Sequence, residues 1–344
     1  MKKASYLLVI VLCSFYLLAG WDSAVQADAA KAGETEIGYH IYAILPENQK
    51  NPDSSFFDLQ MKPGQKQTIE VAVANTSVED QTYTIEINPA YTNDQGFIDY
   101  SEKKETEEKQ RELTIDHIAT YEKKITVPKG QTEKVPITLT MPEEAYKGEL
   151  LAGIKVSKVK KQTNQVGIAN TYSYLLGLRL TESDQKIQRK IGVKKIEPTI
   201  AFGKASVAID LINPVREAYG HLTYHVEIKN EETGKKINEK TYSGLQLAPV
   251  STYHFSIDWD DEQLVAGNYQ LVLTIEDKKD NQWTFHRNFA ISPDAAKQVN
   301  TVVVQENRFP YQALLIGIVG LIIGAILIFC IIKWKNKRRT RRKL

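Results

Sequence analysis

Thr68-Ile69-Glu70-Val71-Ala72-Val73, followed beyond Asn75-Thr76-Ser77 by Thr82-Tyr83-Thr84-Ile85-Glu86-Ile87, alternates apolar and polar side chains with a period of two. Successive side chains of an extended backbone point to opposite faces, so each run is a strand with one face buried. An amphipathic helix would need a period near 3.6, which neither run has. Lys134-Val135-Pro136-Ile137-Thr138-Leu139 repeats the pattern. Its proline has no amide for a ladder, which places that strand on a sheet edge.

Working outward, turn signals separate the runs: Lys62-Pro63-Gly64-Gln65, Asn93-Asp94-Gln95-Gly96 and Pro128-Lys129-Gly130 supply fixed φ or left-handed tolerance where the chain reverses. Ordered structure is expected from Ile37, after a polar leader over Asp28 to Glu36. Ala152, Ile154 and Val156 form a further strand, and Lys158 to Gln165 is a polar connection. Tyr172, Tyr174, Leu176, Leu178 and Leu180 then return, closing the first unit or passing the chain to the next. Ser101 to Glu112 carries charges with no apolar residue, so it reads as a solvated loop or a short charged helix.

The same logic recurs after the polar run Thr181 to Lys190. Val207, Ile209 and Leu211 precede Asn213-Pro214, and Leu222, Tyr224, Val226 and Ile228 form a strand ending at the turn Asn230-Glu231-Glu232-Thr233-Gly234. Tyr253, Phe255, Ile257 and Trp259 alternate, then Tyr269, Leu271, Leu273 and Ile275, then Trp283, Phe285, Phe289 and Ile291. Their aromatics share the inward parity and read as core in preference to a sugar platform. Short strands at regular spacing without a long helix predict an all-β fold of two β-sandwich domains in tandem. Asp294 to Arg308 reads as a polar stalk.

The two ends predict a surface protein. Lys2 and Lys3, the apolar run Leu7 to Ala19 and the small residues Ala24-Val25-Gln26-Ala27 follow the plan of a signal peptide over residues 1–27. Leu18-Ala19-Gly20 is followed by Trp21, so no thiol is present there for lipidation. Ala313 to Ile332 is uncharged. Twenty helical residues cross a hydrocarbon core of about 30 Å, so 313–332 is expected to be a single transmembrane helix. The basic tail 333–344 marks the cytoplasmic side, with Phe309, Tyr311 and Trp334 at the membrane interfaces. No Leu-Pro-x-Thr-Gly precedes the span, and Gly320 and Gly324 match the spacing of helix pairing or of ordinary span glycines. The expected domains are 28–182 and 190–300.

Charge narrows the partners. Eight of the 44 Lys+Arg sit in the tail and two in the signal, leaving 34 in residues 28–312 against 41 acidic residues, all but Asp22. A region near −7 lacks the basic surface that nucleic acid requires. Cys13 and Cys330 lie in the two terminal apolar segments, so no disulfide framework and no thiol nucleophile is available between them. His221 and His225 have the i, i+4 spacing of a helical zinc pair, but on a strand they stand about 13 Å apart and read as surface histidines. Asp258, Asp260, Asp261 and Glu262 crowd Trp259 but lack the glycine and ligand spacing of a calcium loop. No catalytic, cofactor-binding or metal-binding residue is assigned, no cofactor is expected, and the binding residues are left open.

Phe57-Asp58-Leu59-Gln60-Met61-Lys62-Pro63-Gly64-Gln65, Val71-Ala72-Val73-Ala74-Asn75-Thr76 and Asn170-Thr171-Tyr172-Ser173-Tyr174, between a signal peptide and one span with a basic tail, resemble the WxL-interacting proteins of Gram-positive bacteria. The resemblance implies an immunoglobulin-like first domain that binds peptidoglycan and a second that binds host factors, including extracellular matrix proteins. It also implies a partner among surface proteins bearing WxL domains. The chain has no Trp-x-Leu itself, since Trp259 precedes Asp260-Asp261 and Trp283 precedes Thr284-Phe285. These readings converge on a non-enzymatic binding and tethering protein of the cell membrane and wall zone. The alternatives are a stand-alone host-adhesive ectodomain and a cell-wall hydrolase or its accessory subunit, which would need two carboxylates converging in a cleft.

Overall fold

The computed structural model describes residues 37–104, 113–159, 172–259 and 263–303, with Gly324, Ile328, Ile331 and Lys333 singly. In chain order the first unit holds β1 (Tyr39–Ile44), β2 (Phe57–Gln60), β3 (Lys66–Asn75), β4 (Gln81–Pro89), β5 (Tyr91–Thr92) and β6 (Ile98–Asp99). Helix α1 (Ile115–Ile118) follows, then β7 (Ala119–Tyr121), β8 (Lys124–Val127), β9 (Thr132–Thr140), β10 (Glu149–Lys158) and β11 (Ser173–Thr181). The second unit holds β12 (Gly192–Ala201), β13 (Lys204–Asn213), β14 (Tyr219–Asn230), β15 (Lys236–Leu247), β16 (Ser251–Asp258), β17 (Gly267–Glu276), β18 (Gln282–Ile291) and helix α2 (Pro293–Val302).

The first unit is a sandwich of a sheet ordered β1-β3-β9-β7 on one ordered β2-β11-β10-β4-β8, with β5 and β6 as a separate pair. Alternation builds its core. Ile69, Val71, Val73, Val135, Ile137 and Leu139 face Tyr83, Ile85, Ile87, Ile154, Val156 and Leu178, all buried. β10 and β11 close this sandwich, pairing antiparallel from Glu149↔Thr181 to Ser157↔Ser173. The edge position expected for Pro136 is corrected. β9 lies inside its sheet, but β7 reaches only residues 137–139, so Pro136 faces Glu70 of β3 with no β7 residue opposite.

The second sandwich packs β12-β13-β16 on β15-β14-β17-β18. Val207, Ile209, Leu211, Tyr253, Phe255 and Ile257 meet Tyr224, Val226, Ile228, Leu271, Leu273 and Ile275. Trp283, Phe285 and Phe289 are half-buried against this core. Full burial of a side chain of this size contributes about 1.5–3 kcal/mol and partial burial correspondingly less, so the aromatics are spent on packing. The expected polar stalk is corrected in its first part. Ser292 caps α2 by accepting from the Ala295 amide at 3.2 Å, Pro293 opens it, and Ala296 and Val299 bury into the core.

One device recurs in both sandwiches. Asn75 ends β3 and Asn213 ends β13, and both are buried. Asn75 Nδ2 donates to the carbonyls of Glu79 at 2.8 Å and Val127 at 3.0 Å; Asn213 Nδ2 donates to those of Glu217 at 2.8 Å and Ala248 at 2.9 Å. Each side chain thus binds its own turn and a distant one, satisfying carbonyls that would otherwise be buried unpaired.

Strand direction fixes the ends of the second sandwich. The starts of β12, β14 and β16 and the ends of β13 and β17 lie toward the first unit, while α2 finishes at the opposite end, where Asn300 binds both backbone groups of Leu264 at 2.9 Å. No helix among the described residues is long and apolar enough to cross a membrane. Signal segment 1–27, span 313–332 and tail 333–344 lie outside the described residues, apart from the four single positions above.

Candidate functional site

Where the two sandwiches meet they enclose a groove of about 500 Å³. Its walls come from the start of β10, the end of β11, the strandless connector 182–191, the β13–β14 turn and the β17–β18 hairpin. Two ion networks build it. Arg179 of β11 donates Nε to Glu149 Oε2 at 2.6 Å and Nη1 to Asp58 Oδ1 at 3.0 Å. Burial lowers the Arg179 pKa, but Glu149 and Asp58 reverse that and hold it above its ordinary value. Glu149 then crosses to the second sandwich: its Oε1 accepts the Ala218 amide at 2.7 Å and its own amide donates to the Arg216 carbonyl at 2.8 Å.

The second network fixes the connector. Arg189 donates Nη1 to Asp277 Oδ2 at 2.6 Å and Nε to Glu217 Oε1 at 2.9 Å, with its guanidinium 4.6 Å from the Tyr219 ring centre. Trp283 stacks near Tyr219 at 6.1 Å and 10°. The Asp277 carboxylate is fully buried, and it also accepts the amides of Lys279 at 2.8 Å and Asn281 at 3.0 Å and the Asn281 side chain at 2.9 Å. Burial pushes the Asp277 carboxyl up, but the bonds from Asn281, Arg189 and Lys279 outweigh it and hold the group below the usual carboxylate range.

A second seam joins the units beside the β5–β6 pair. Thr92 Oγ1 accepts the Ala248 amide at 2.9 Å, Gly96 O accepts that of Gln246 at 2.7 Å, and the Gln246 side chain accepts from the Ile98 amide at 2.9 Å. Gly148, at φ +90°, lies so close to the second unit that a Cβ there would stand 2.1 Å from the Arg216 carbonyl oxygen. Backbone contact at this distance admits only glycine.

The chemistry available in the groove is hydrogen bonding. Gln185, Gln188, Asn281, Ser183 and Lys186 line it beside the paired charges. Its carboxylates are engaged: Glu149 and Asp58 with Arg179, Glu217 and Asp277 with Arg189, and Asp184 with Lys50. A glycosidase acid needs a carboxyl with a raised pKa, whereas Asp277 and Asp184 are both lowered, Asp184 by its bond to Lys50.

The first sandwich offers a different surface on its five-stranded sheet. Gly153 and Gly177 are direct cross-strand partners on the outer face. Tyr100 lies against Gly153 and Phe56 against Gly177, with Leu175 between them in reach of Gly153. Phe56 and Leu175 are exposed, and Lys155 beside them pairs with Glu86 at 3.2 Å and the Ser101 carbonyl at 2.9 Å. The side chains of Tyr100, Leu175 and Phe56 thus cover the two glycines and leave exposed apolar surface at Phe56 and Leu175 on a polar sheet face.

Among the described residues, the groups weighed from sequence do not assemble into a site. His221 and His225 are exposed on β14; His225 Nδ1 lies 3.1 Å from Thr241 Oγ1 and Nε2 3.9 Å from Glu276. Asp258 pairs with Lys204 and Lys240, whereas Asp260, Asp261 and Glu262 lie outside the described residues, as do 105–112 of the charged run. Among the described residues no three His, Cys, Asp or Glu side chains gather as a metal site. The groove residues gave no local signal, because positions 58, 149, 179, 189, 217 and 277 converge only through the fold.

Residues 39–158 match the family model described as "WxL Interacting Protein, peptidoglycan binding domain", and residues 163–301 match "WxL Interacting Protein, host binding domain". The seam between the matches falls inside the first sandwich, since β11, whose Leu176, Leu178 and Leu180 complete that core, belongs to the second match. No curated protein matches the chain. Among solved structures, a chain of a chaperone–tip adhesin complex of CFA/I fimbriae biogenesis aligns at 17% identity and TM-score 0.33, covering 72% of this chain and 98% of its own. The class 5 fimbriae chaperone CfaA aligns at 16% and 0.28 over 74% and 99%, and the E. coli chaperone DraB at 15% and 0.26 over 74% and 97%. Likenesses this loose carry no argument.

Proposed function

The chain belongs to the WxL-interacting protein family, and we propose that it works as a non-enzymatic binder and tether at the bacterial surface. In this reading the first sandwich, immunoglobulin-like in kind, contacts peptidoglycan. The second meets host factors, and the pair holds a surface protein that carries a WxL domain. Residues 313–332 anchor it in the cell membrane with the basic tail inside. The observation that carries the reading is that the two family models lie end to end over both sandwiches, 39–158 and 163–301. Physically, the exposed Phe56 and Leu175 side chains suit the apolar face of a sugar ring, and the amide-rich groove suits a polar glycan or peptide.

The test is co-sedimentation of residues 37–303 with insoluble peptidoglycan, with and without a purified WxL domain. Pelleting alone, weakened by Phe56→Ala with Leu175→Ala, places the wall contact on the sheet face. Loss instead with Gln185→Ala and Gln188→Ala places it in the groove. Pelleting only with the WxL domain present assigns the wall contact to the partner. Recovery in the supernatant under both conditions sinks the proposal.

A further inference from the structure

The second sandwich bears an apolar tip at the end where the chain leaves it. β12 and β13 join through the two-residue turn Phe202-Gly203, closed by the Ala201↔Lys204 pair. Both turn residues are left-handed, at φ 51° and 77°. Such hairpins require positive φ at both positions and ordinarily place Asn or Gly first, because a bulky side chain is strained there. Phe202 is nonetheless 72% exposed. Its ring is strained in backbone and lies largely in solvent, so neither turn geometry nor core packing accounts for it.

Its neighbours share the character. Ile200 precedes it on β12, and Val265 and Val302 are 63% and 60% exposed. The Trp259 amide donates to the Ala205 carbonyl at 3.0 Å, which sets Trp259, next after β16, against this hairpin. The bonds of Asn300 to both backbone groups of Leu264 bring Val265 and the end of α2 together. All of these residues stand opposite the junction with the first sandwich.

We infer that this tip docks into the interfacial layer of the lipid bilayer. The inference rests on the anchor proposed above. Ten residues separate Val302 from the expected span at Ala313, which reach at most about 35 Å when extended. The tip is therefore held within that distance of the membrane, and a short apolar prominence on a tethered domain gains by insertion. Charge does not drive it. Among the described residues at this end Lys204 pairs with Asp258 at 3.5 Å and Lys236 with Glu227 and Glu239, and the turn that holds Lys235 also carries exposed Glu231 and Glu232, so the cations are offset by carboxylates.

The experiment uses the full chain, with Cys13 and Cys330 replaced by serine, in phosphatidylcholine vesicles containing spin-labelled lipid. An environment-sensitive dye is placed on Phe202→Cys, on Val265→Cys, or on Val78→Cys in the first sandwich, where Val78 is 87% exposed. Quenching at 202 and 265 is expected to exceed that at 78 about threefold or more, and to be insensitive to added phosphatidylglycerol. Phe202→Asn suits the turn and is expected to reduce quenching at 265 by about half. A chain that floats with the vesicles while 202 is quenched no more than 78 overturns the inference and leaves the anchor standing. A chain that does not float overturns both.

Discussion

Asp277 holds the connector and a hairpin turn at once, and the structure separates these two roles. Asp277→Ala takes away both the turn acceptor for the Lys279 and Asn281 amides and the charge beside Arg189. Arg189 is then left buried with Glu217 alone, and breaking such a pair costs about 3–5 kcal/mol. Asp277→Asn keeps Oδ1 for the turn amides but puts an NH2 where Oδ2 accepted Arg189 and the Asn281 side chain, so it carries the same loss of the pair and is spared only the about 2 kcal/mol of unsatisfied turn amides. The two variants are therefore expected to differ by about 2 kcal/mol. Urea unfolding of residues 37–303, followed by tryptophan fluorescence, reads the second sandwich by itself, because Trp259 and Trp283 are the only tryptophans in that stretch. With a slope of about 2 kcal/mol/M, Asp277→Asn should lower the midpoint by about 2 M and Asp277→Ala by about 3 M. The pH dependence follows in sign. The folded Asp277 pKa lies below the ordinary 3.8, so its contribution is complete above that pH and is lost as pH falls through the folded value. Wild type and Asp277→Asn should then converge in strong acid. Equal midpoints for the two variants at neutral pH, or a loss under about 1 kcal/mol for alanine, would refute this account of the buried pair.

Gly148→Ala forces a side chain onto the Arg216 carbonyl at positive φ and should loosen the junction by at least about 2 kcal/mol, read as a larger radius of gyration in X-ray scattering. Asn213→Ala should lower the tryptophan-detected transition by about 1–3 kcal/mol. Asn75→Ala should leave that transition in place and show its loss only in far-ultraviolet dichroism. A piece ending at residue 158 lacks Leu176, Leu178 and Leu180 and is expected to stay unfolded by amide hydrogen exchange, while residues 37–181 protect the amides of β4 and β10.

The central strands were legible because each buries one full face. Val207-x-Ile209-x-Leu211 and Tyr269 to Ile275 alternate in sequence and are buried in register. β12 and β15 left no such trace. Both lie at sheet edges, where Lys194, Lys195, Glu197 and Glu239, Lys240, Tyr242 stand partly or fully in solvent, so their pairing rests on backbone bonds that no side-chain pattern records. Helix α2 buries only Ala296 and Val299, which made it read as polar, although Ser292-Pro293-Asp294 spells a helix start. The groove was illegible for a further reason. Arg179 and Asp58 are 121 positions apart and meet through the β2–β11 register, whereas Arg189 and Asp277 are 88 apart and meet where the connector lies against the β17–β18 hairpin.

The placement of junction and exit at opposite ends of the second sandwich sets how this molecule bears load. A pull on the first sandwich enters β12 at Gly192 and leaves through the far end of α2, along the strand axes. The β12–β13 ladder from Gly192↔Ile212 to Ala201↔Lys204 is then loaded in shear, its rungs sharing the force instead of parting singly. Glu149 and Gln246 feed the same pull into β14 and β15 in parallel. Forced rupture is governed by the unfolding rate, and this geometry makes it slow. In the tether proposed above, the second sandwich would thereby carry tension between the first sandwich and the anchor without being peeled open from either end.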